Sequence, residues 1–335
     1  MKIMVCAVRP DFSPPREWEL AEYITAYYQK IGLEADLFAL PANNDILDMP
    51  EQVAAFRMME IGSTADIFIA VGCPAFFIQH PNKHVFLFQL LPELFEYWNT
   101  PYGVPATYQY TKIKDMVNVA VGRQLHSVKS LFCGSNLLKE DIRKRFGAKA
   151  EVFRREQEKP EESIKREKNR AIAMQTWFMP EDRIELAVDA FAHITGRLEM
   201  TLFVPDAHPL DCRATQTRIE KAGLCERVRM ESRTIAEGDW QTISTLLSIP
   251  YETRSVDRSV KDALQRGMPV VTTQDSGAVL EYVRAQNSVA VKPEACEIAD
   301  GILHAAQLKE LKKPWRGGTL EKERAINSVL EGLVK

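Results

Sequence analysis

The chain has 335 residues, 45% hydrophobic and 27% charged, the balance of an ordinary globular protein with room for two domains. With 46 acidic against 43 basic residues the net charge is −3, which excludes a global electrostatic pull toward nucleic acid or anionic membrane. Six cysteines (Cys6, Cys73, Cys133, Cys212, Cys225 and Cys296) without C-x-x-C spacing argue against a zinc site or disulfide framework and for a reducing compartment.

Residues 2–8 are a short β-rich run bounded by Arg9-Pro10 and predict a buried first strand, too short an apolar run for a signal peptide. Residues 17–30 carry Leu20, Ile24 and Tyr27-Tyr28 at helical spacing, and Gly32 stops that helix. Strands are predicted at 34–40, 66–71, 84–88, 128–133 and 150–153, with helices at 51–61, 110–127 and 135–145. Strands alternating with helices imply a parallel sheet covered on both faces. Residues 154–170 hold one apolar residue, Ile164, among mixed charges and Pro160, which marks an exposed linker.

A second alternating set begins at 171–174, with strands at 200–204, 226–230 and 288–292 and helices at 180–193, 209–221, 239–247 and 295–308. Gly317-Gly318 precede a final predicted helix, 319–334, placed to cross back onto the first domain. No run approaches eighteen apolar residues, so no membrane span is expected. Residues 249–283 organise this half. A helix at 256–265 leads through Gly267 and Pro269 into an apolar strand at 269–273. The turn Gln274-Asp275-Ser276-Gly277 then opens a second predicted helix at Ala278. Strand, turn and helix in that order build a ligand ledge in doubly wound α/β domains, where a helix N-terminus offers N–H groups to an anion.

Pro250-Tyr251, Gly267-x-Pro269-Val270-Val271-x-Thr273 and Ser276-Gly277 with Glu281 resemble the donor-nucleotide segment of retaining GT-B glycosyltransferases of the group 1, family 4-like kind. These transfer a sugar from a nucleotide-sugar. In the first half, Ala65-Asp66-Ile67, Cys73-Pro74-Ala75-Phe76, His80-Pro81-Asn82-Lys83, Trp98 with Thr100-Pro101-Tyr102-Gly103, and Gly134-Ser135-Asn136 also resemble family phrases. The resemblance implies an α/β GT-B architecture of two Rossmann-like, doubly wound domains facing a cleft. The expected division is an acceptor-side domain at 1–156, a linker at 157–169, a donor-side domain at 170–316 and a C-terminal helix at 317–335.

The functional positions depart from the family pattern. Where the family has a Gly-Gly turn, this chain has Pro14-Pro15 followed by Arg16-Glu17, and the family's reaction-centre His falls on Gln89. His80, before a strand, reads as a turn residue. The family's diphosphate-binding Arg and Lys fall on Trp177 and Asp182, with Arg183 next door able to swing inward. Two fixed cations are the device that stabilises such a leaving group. The family's Gly-Asp-Gly reads Pro205-Asp206-Ala207, and its Glu-x7-Glu falls on Arg254 and Asp262. An insertion could bring Glu252 to the first acidic position, and Asp257 is a second candidate.

Two readings follow. In one, a glycosyltransferase-like protein of glycan or polysaccharide assembly lacks ordinary nucleotide-sugar transfer and serves as a binding or partner subunit. In the other, an active transferase of the hexosyl class uses a nucleotide-sugar through a rewired donor site. Its catalytic acids would be Glu252 and Asp262. Its donor side would comprise Trp177, Asp182, Arg183, Arg254, Ser276, Gly277 and Glu281, and its acceptor side Arg16 and Gln89. GT-B epimerases share the architecture but depend on acids and a His not located here. No metal and no cofactor beyond the donor is expected. A nucleotide-sugar, a glycan or a protein is the expected partner, nucleic acid is not, and the expected place is the cytoplasm or the inner membrane face.

Overall fold

The architecture comes from a computed structural model that describes residues 1–8, 15–43, 45–59, 61, 64–154, 171–205, 209–283, 288–307 and 323–334. The chain forms two compact units, one from Met1–Glu156 with Lys322–Lys335 and one from Gln157–Glu321. The charged linker expected at 157–169 and the Pro205-Asp206-Ala207 turn beyond Pro205 lie outside the described residues.

Among the described residues the first unit is built on seven strands: β1 (Lys2–Val8), β2 (Glu34–Leu40), β3 (Ile67–Val71), β4 (Lys83–Leu87), β5 (Ser130–Cys133), β6 (Glu151–Arg154) and, from the far end of the chain, β13 (Glu323–Ala325). Their order is β13-β6-β5-β4-β3-β1-β2, and every pairing is parallel. A parallel sheet is covered on both faces, so its strands are apolar on both. Ile3, Val5 and Ala7 pack with α1 (Pro15–Lys30) and α9 (Ile326–Leu333). Cys6, Phe68 and Ala70 enter the opposite core with α2 (Met49–Arg57), α3 (Tyr108–His126) and α4 (Asn136–Phe146). The alternation of strand side chains produces this division.

The final helix expected from 319 is shorter than its pattern. Its first described residues form β13, whose Glu323, Arg324 and Ala325 pair with Val152, Phe153 and Arg154. Without β13, β6 would be an open sheet edge, and satisfying that edge outweighs helix propensity in the segment. Beyond it α9 buries Ile326, Val329 and Leu330. Tyr28 Oη donates to the Leu330 carbonyl at 2.9 Å, and Tyr23 Oη to Asn327 Oδ1 at 2.7 Å.

The second unit has, among the described residues, six parallel strands, β7 (Ala171–Gln175), β8 (Glu199–Phe203), β9 (Val228–Glu231), β10 (Ile243–Leu247), β11 (Val270–Thr273) and β12 (Ser288–Val291), in the order β12-β11-β10-β7-β8-β9. Ile172, Met174 and Leu202 pack with α5 (Ile184–Ala192), α6 (Pro209–Lys221) and α8 (Ala295–Ala305). Ala173, Leu246 and Val270 pack with Trp240, Tyr282 and α7 (Arg258–Gln265).

Three expectations in this unit are corrected. Residues 239–247 are not a helix: a 3₁₀ turn at Glu237–Gln241 gives way to β10, the strand between β7 and β11. A central strand is apolar on both faces, and periodicity cannot separate such a run from a buried helix. The helix expected from Pro180 to His193 is interrupted, with a 3₁₀ turn at Pro180–Asp182, Arg183 in the left-handed region at φ 58°, and only then α5. The helix expected from Ala278 is a 3₁₀ turn of five residues, Gly277–Glu281. Among the described residues no helix is long and apolar enough to cross a membrane.

The strand orders locate the places where ligands sit. In the first sheet chain order reverses between β1 and β3, and in the second between β7 and β10. Ligands of open α/β sheets bind beyond the carboxyl ends of the strands at such reversals.

Candidate functional site

In the second unit the reversal is crowned by the loop that follows β7. Asp182 Oδ2 accepts hydrogen bonds from Thr176 Oγ1 at 2.8 Å, from the Trp177 N–H at 2.9 Å and from the Met179 N–H at 3.3 Å. Thr176 Oγ1 accepts in turn from the Phe178 N–H at 3.1 Å. Burial pushes the Asp182 carboxyl up from its usual range, and these hydrogen bonds work against that rise. Asp182 thus turns inward and staples its own loop. Trp177 Nε1 donates to Asp257 Oδ2 at 3.3 Å, and Gln175 Nε2 to Asp257 Oδ1 at 3.2 Å. Asp257 also caps α7, accepting from the Ser259 N–H at 2.8 Å. The carboxylate considered as an alternative acid therefore joins the end of β7 to the start of α7.

Arg183 has swung inward. Its side chain is 5% exposed and grips Asp275 with both terminal nitrogens, Nη1 to Oδ1 at 3.0 Å and Nη2 to Oδ2 at 2.5 Å. Nη1 also reaches Thr273 Oγ1 at 3.3 Å, and the guanidinium lies 4.9 Å from the centre of the Tyr251 ring. Burial acts to raise Asp275, but hydrogen bonds from Arg183 and Thr273 outweigh it and hold the carboxyl below its ordinary value.

The loop after Ile249 closes over the same edge. The Tyr251 N–H donates to the Glu181 carbonyl at 2.8 Å, and the Glu252 N–H to the Asp275 carbonyl at 2.7 Å. Glu252 sits at φ 43°, a conformation strained for a residue with a Cβ, and its carboxylate pairs with Arg254 Nη1 at 3.0 Å. Gly277, at φ 57°, lets this loop approach: a Cβ there would lie 2.2 Å from the Thr253 carbonyl oxygen. The Ala278 N–H donates to that same carbonyl at 2.7 Å. Ser276 is fully buried, with Oγ 2.7 Å from Thr273 Oγ1. The expected helix N-terminus for an anion is thus a short turn whose Ala278 N–H is bonded to protein.

Arg254 and Asp262, expected at the two acidic positions, stand on different elements. Arg254 is held by Glu252, whereas Asp262 lies on α7 with Oδ2 3.5 Å from Arg258 Nε. Burial raises the Asp262 carboxyl against the pull of Arg258 and Arg266. Glu281 ends the 3₁₀ turn, half-buried.

In the first unit the reversal between β1 and β3 faces the start of α1. Arg16 Nη2 donates to Gln89 Oε1 at 2.6 Å, joining the two residues expected on the acceptor side, and the guanidinium lies 5.7 Å from the centre of the Phe88 ring. The next residue, Glu17, is 2% exposed, and burial pushes its carboxyl up to about 7 although Arg16 acts to lower it. The sequence reading passed over Glu17 and Asp275. Glu17 looks like any first-turn acid of a helix, and Asp275 like any turn residue. The weak signal for Glu17 is its register with Leu20, Ala21 and Ile24 on the buried face of α1.

His80 is a turn residue: its Nδ1 accepts from the Asn82 N–H at 3.0 Å and its Nε2 lies 3.0 Å from the Ala65 carbonyl. Among the described residues no group of three His, Cys, Asp or Glu side chains is placed to hold a metal ion.

No family model matches the chain, and no curated protein matches it in sequence. Solved structures do. A sucrose-phosphate synthase from Thermosynechococcus elongatus matches with a TM-score of 0.72 at 12% identity, over 92% of each chain. WaaG, a glycosyltransferase involved in lipopolysaccharide biosynthesis, matches with a TM-score of 0.67 at 13% identity, over 91% of this chain and 90% of that one. Anabaena Alr3699/HepE, in complex with UDP and glucose, matches with a TM-score of 0.64 at 14% identity, over 92% and 90%. Likeness of this extent at such low identity is a statement about architecture, and with the two parallel sheets it establishes that the chain has the GT-B fold of the glycosyltransferases.

Proposed function

We propose that this protein is a glycosyltransferase-like component of glycan or polysaccharide assembly that lacks ordinary nucleotide-sugar transfer and acts as a binding or partner subunit. The observation that carries this reading is the pairing of Arg183 with Asp275. Transfer from a nucleotide-sugar leaves a diphosphate whose negative charge needs fixed cations. Trp177 and Asp182 stand where the resemblance puts those cations, and the neighbouring Arg183 is already neutralised by an internal carboxylate. Calorimetry with a panel of uridine, guanosine and adenosine diphosphate sugars tests the reading. No binding in the micromolar range is expected, and micromolar binding of any one of them rejects it.

One observation favours the second reading, an active transferase with a rewired donor site. Glu252 holds a strained backbone while its side chain remains 41% exposed beside Arg254, and strain of this kind clusters at functional sites. On that reading Glu252→Ala abolishes a turnover that the native chain shows with some donor and acceptor. A broad screen without turnover, alongside activity in a co-purified partner, returns the choice to the first.

A further inference from the structure

We propose that Asp275 is a specificity-determining residue whose carboxylate holds, on the Arg183 guanidinium, the position an external diphosphate would take, so that the native chain rejects diphosphates at this edge. The inference rests on the reading of the carboxyl edge of the second sheet as the donor side. It goes beyond that reading by naming the residue responsible and making the exclusion reversible.

The geometry is that of an occupied anion site. A guanidinium presents parallel N–H groups that match a carboxylate or a phosphate equally well in two-point contact. Here both terminal nitrogens are engaged by the two oxygens of Asp275. Arg183 is 5% exposed and Asp275 27%, so the carboxylate is the more accessible partner of the pair. Beside the cation stand the Tyr251 ring and the Thr273 hydroxyl; the hydroxyl is shared with Asp275, so the ring is the side-chain contact that does not depend on the carboxylate. The backbone supports are also independent. The Arg183 carbonyl accepts from the Ala187 N–H in the first turn of α5, and the Gln274 N–H just before Asp275 is bonded to the Val291 carbonyl at the end of β12. Removing the Asp275 carboxylate therefore leaves a positioned cation with donors directed to where an anion was.

A partly buried pair of this kind is a weak source of stability compared with apolar packing, whereas removing one partner leaves the other's charge less compensated. That asymmetry supplies the test. Asp275→Ala and Asp275→Asn are compared with the native chain and with the double variant Arg183→Met/Asp275→Leu, measuring Tm with and without inorganic pyrophosphate at matched ionic strength. The single variants melt below the native chain. Pyrophosphate at about ten times its Kd raises their Tm by roughly 3–5 °C, and the native chain and the double variant show no such rise. If neither single variant folds without anion, recovery of folded protein on refolding with pyrophosphate supports the proposal, and its failure rejects it. An equal rise in the native or double-variant chain, or no rise in folded single variants, also rejects it. Nucleotide-sugar binding by the native chain would overturn the proposed function, whereas absence of pyrophosphate rescue overturns only the role given to Asp275.

Discussion

The carboxyl group of Glu17 fills the space that a side chain at Gly72 would need: a Cβ added at Gly72 would stand 2.1 Å from Glu17 Oε2 and 2.4 Å from its Cδ. This contact joins the first turn of α1 to the end of β3, at the point where the first sheet reverses its order. Gly72 also holds φ +78°, where a side chain is strained. Gly72→Ala is therefore expected to destabilise the protein by about 2–4 kcal/mol, combining backbone strain with overpacking. Gly147 serves as the control. It has φ +68° but nothing within 4 Å of an added Cβ, so Gly147→Ala should cost only about 1 kcal/mol. Urea unfolding of the two variants checks the difference.

Glu17 gives the first unit a pH-dependent weakness. Its carboxyl titrates at about 7 in the folded chain against an ordinary value of 4.5, because burial disfavours the charged form. The folded state then holds the proton more tightly than the unfolded state. Stability from this group is fully present below about pH 4.5 and is lost as pH rises through 7. Glu17→Gln should be neutral near pH 4 and stabilising by roughly 3 kcal/mol at pH 8. His84 opposes it in nearly the same window, since burial lowers its pKa to about 4 and its contribution grows as pH rises toward 6.5. The informative quantity is thus the difference between variant and native unfolding free energies at each pH.

Lys83 acts in the adjoining range. It is 1% exposed on β4, and its ammonium donates to the Phe76 and Ile78 carbonyls at 2.9 and 2.8 Å. Burial, with a smaller repulsion from Arg57, lowers its pKa from 10.5 to about 7. Between those values the unfolded chain binds the extra proton, so stability rises with pH from 7 toward 10.5. Lys83→Met removes that alkaline rise. It also leaves two buried carbonyls without this donor, at a cost of about 1–3 kcal/mol each where water cannot replace it. Unfolding curves between pH 7 and 10 separate the two effects, because only the first depends on pH.

Much of the architecture is legible in the sequence, for reasons particular residues make plain. β1, β2 and α6 fall at their expected limits because Arg9-Pro10, Gly32 and Pro209 punctuate their ends. β10 was missed because Ile243, Leu246 and Leu247 face both cores, and no alternation marks such a run. β13 was missed because a strand of three residues is specified by its partner β6 and not by its own composition. At the site, side-chain direction was the illegible part. The resemblance puts Asp182 where a cation is expected, but it cannot tell that Thr176 and two backbone N–H groups turn the acid inward. Nor can it show that Arg183 meets Asp275, ninety-two residues away. The Arg16–Gln89 bond has the same origin: both positions were singled out separately, and the parallel sheet makes them neighbours.

Asp182 offers the sharpest separation between a ligand-facing role and a structural one. An acid directed at a diphosphate would repel it, and its removal would leave stability unchanged while admitting the ligand. The three donors converging on Oδ2 assign it the other role, as the staple of the loop at Thr176–Met179. Removing it strands two backbone N–H groups and a buried hydroxyl, each costing about 1–3 kcal/mol unless water reaches it. Asp182→Ala should therefore destabilise by about 2–4 kcal/mol, while Asp182→Asn, which keeps one accepting oxygen, should cost less. Because Trp177 belongs to this loop and donates to Asp257, loosening the loop should also change indole fluorescence before global unfolding. The Trp177→Phe background identifies that signal. An Asp182→Ala chain with native stability and new diphosphate binding would show that this carboxylate guards a ligand site and does not hold the loop.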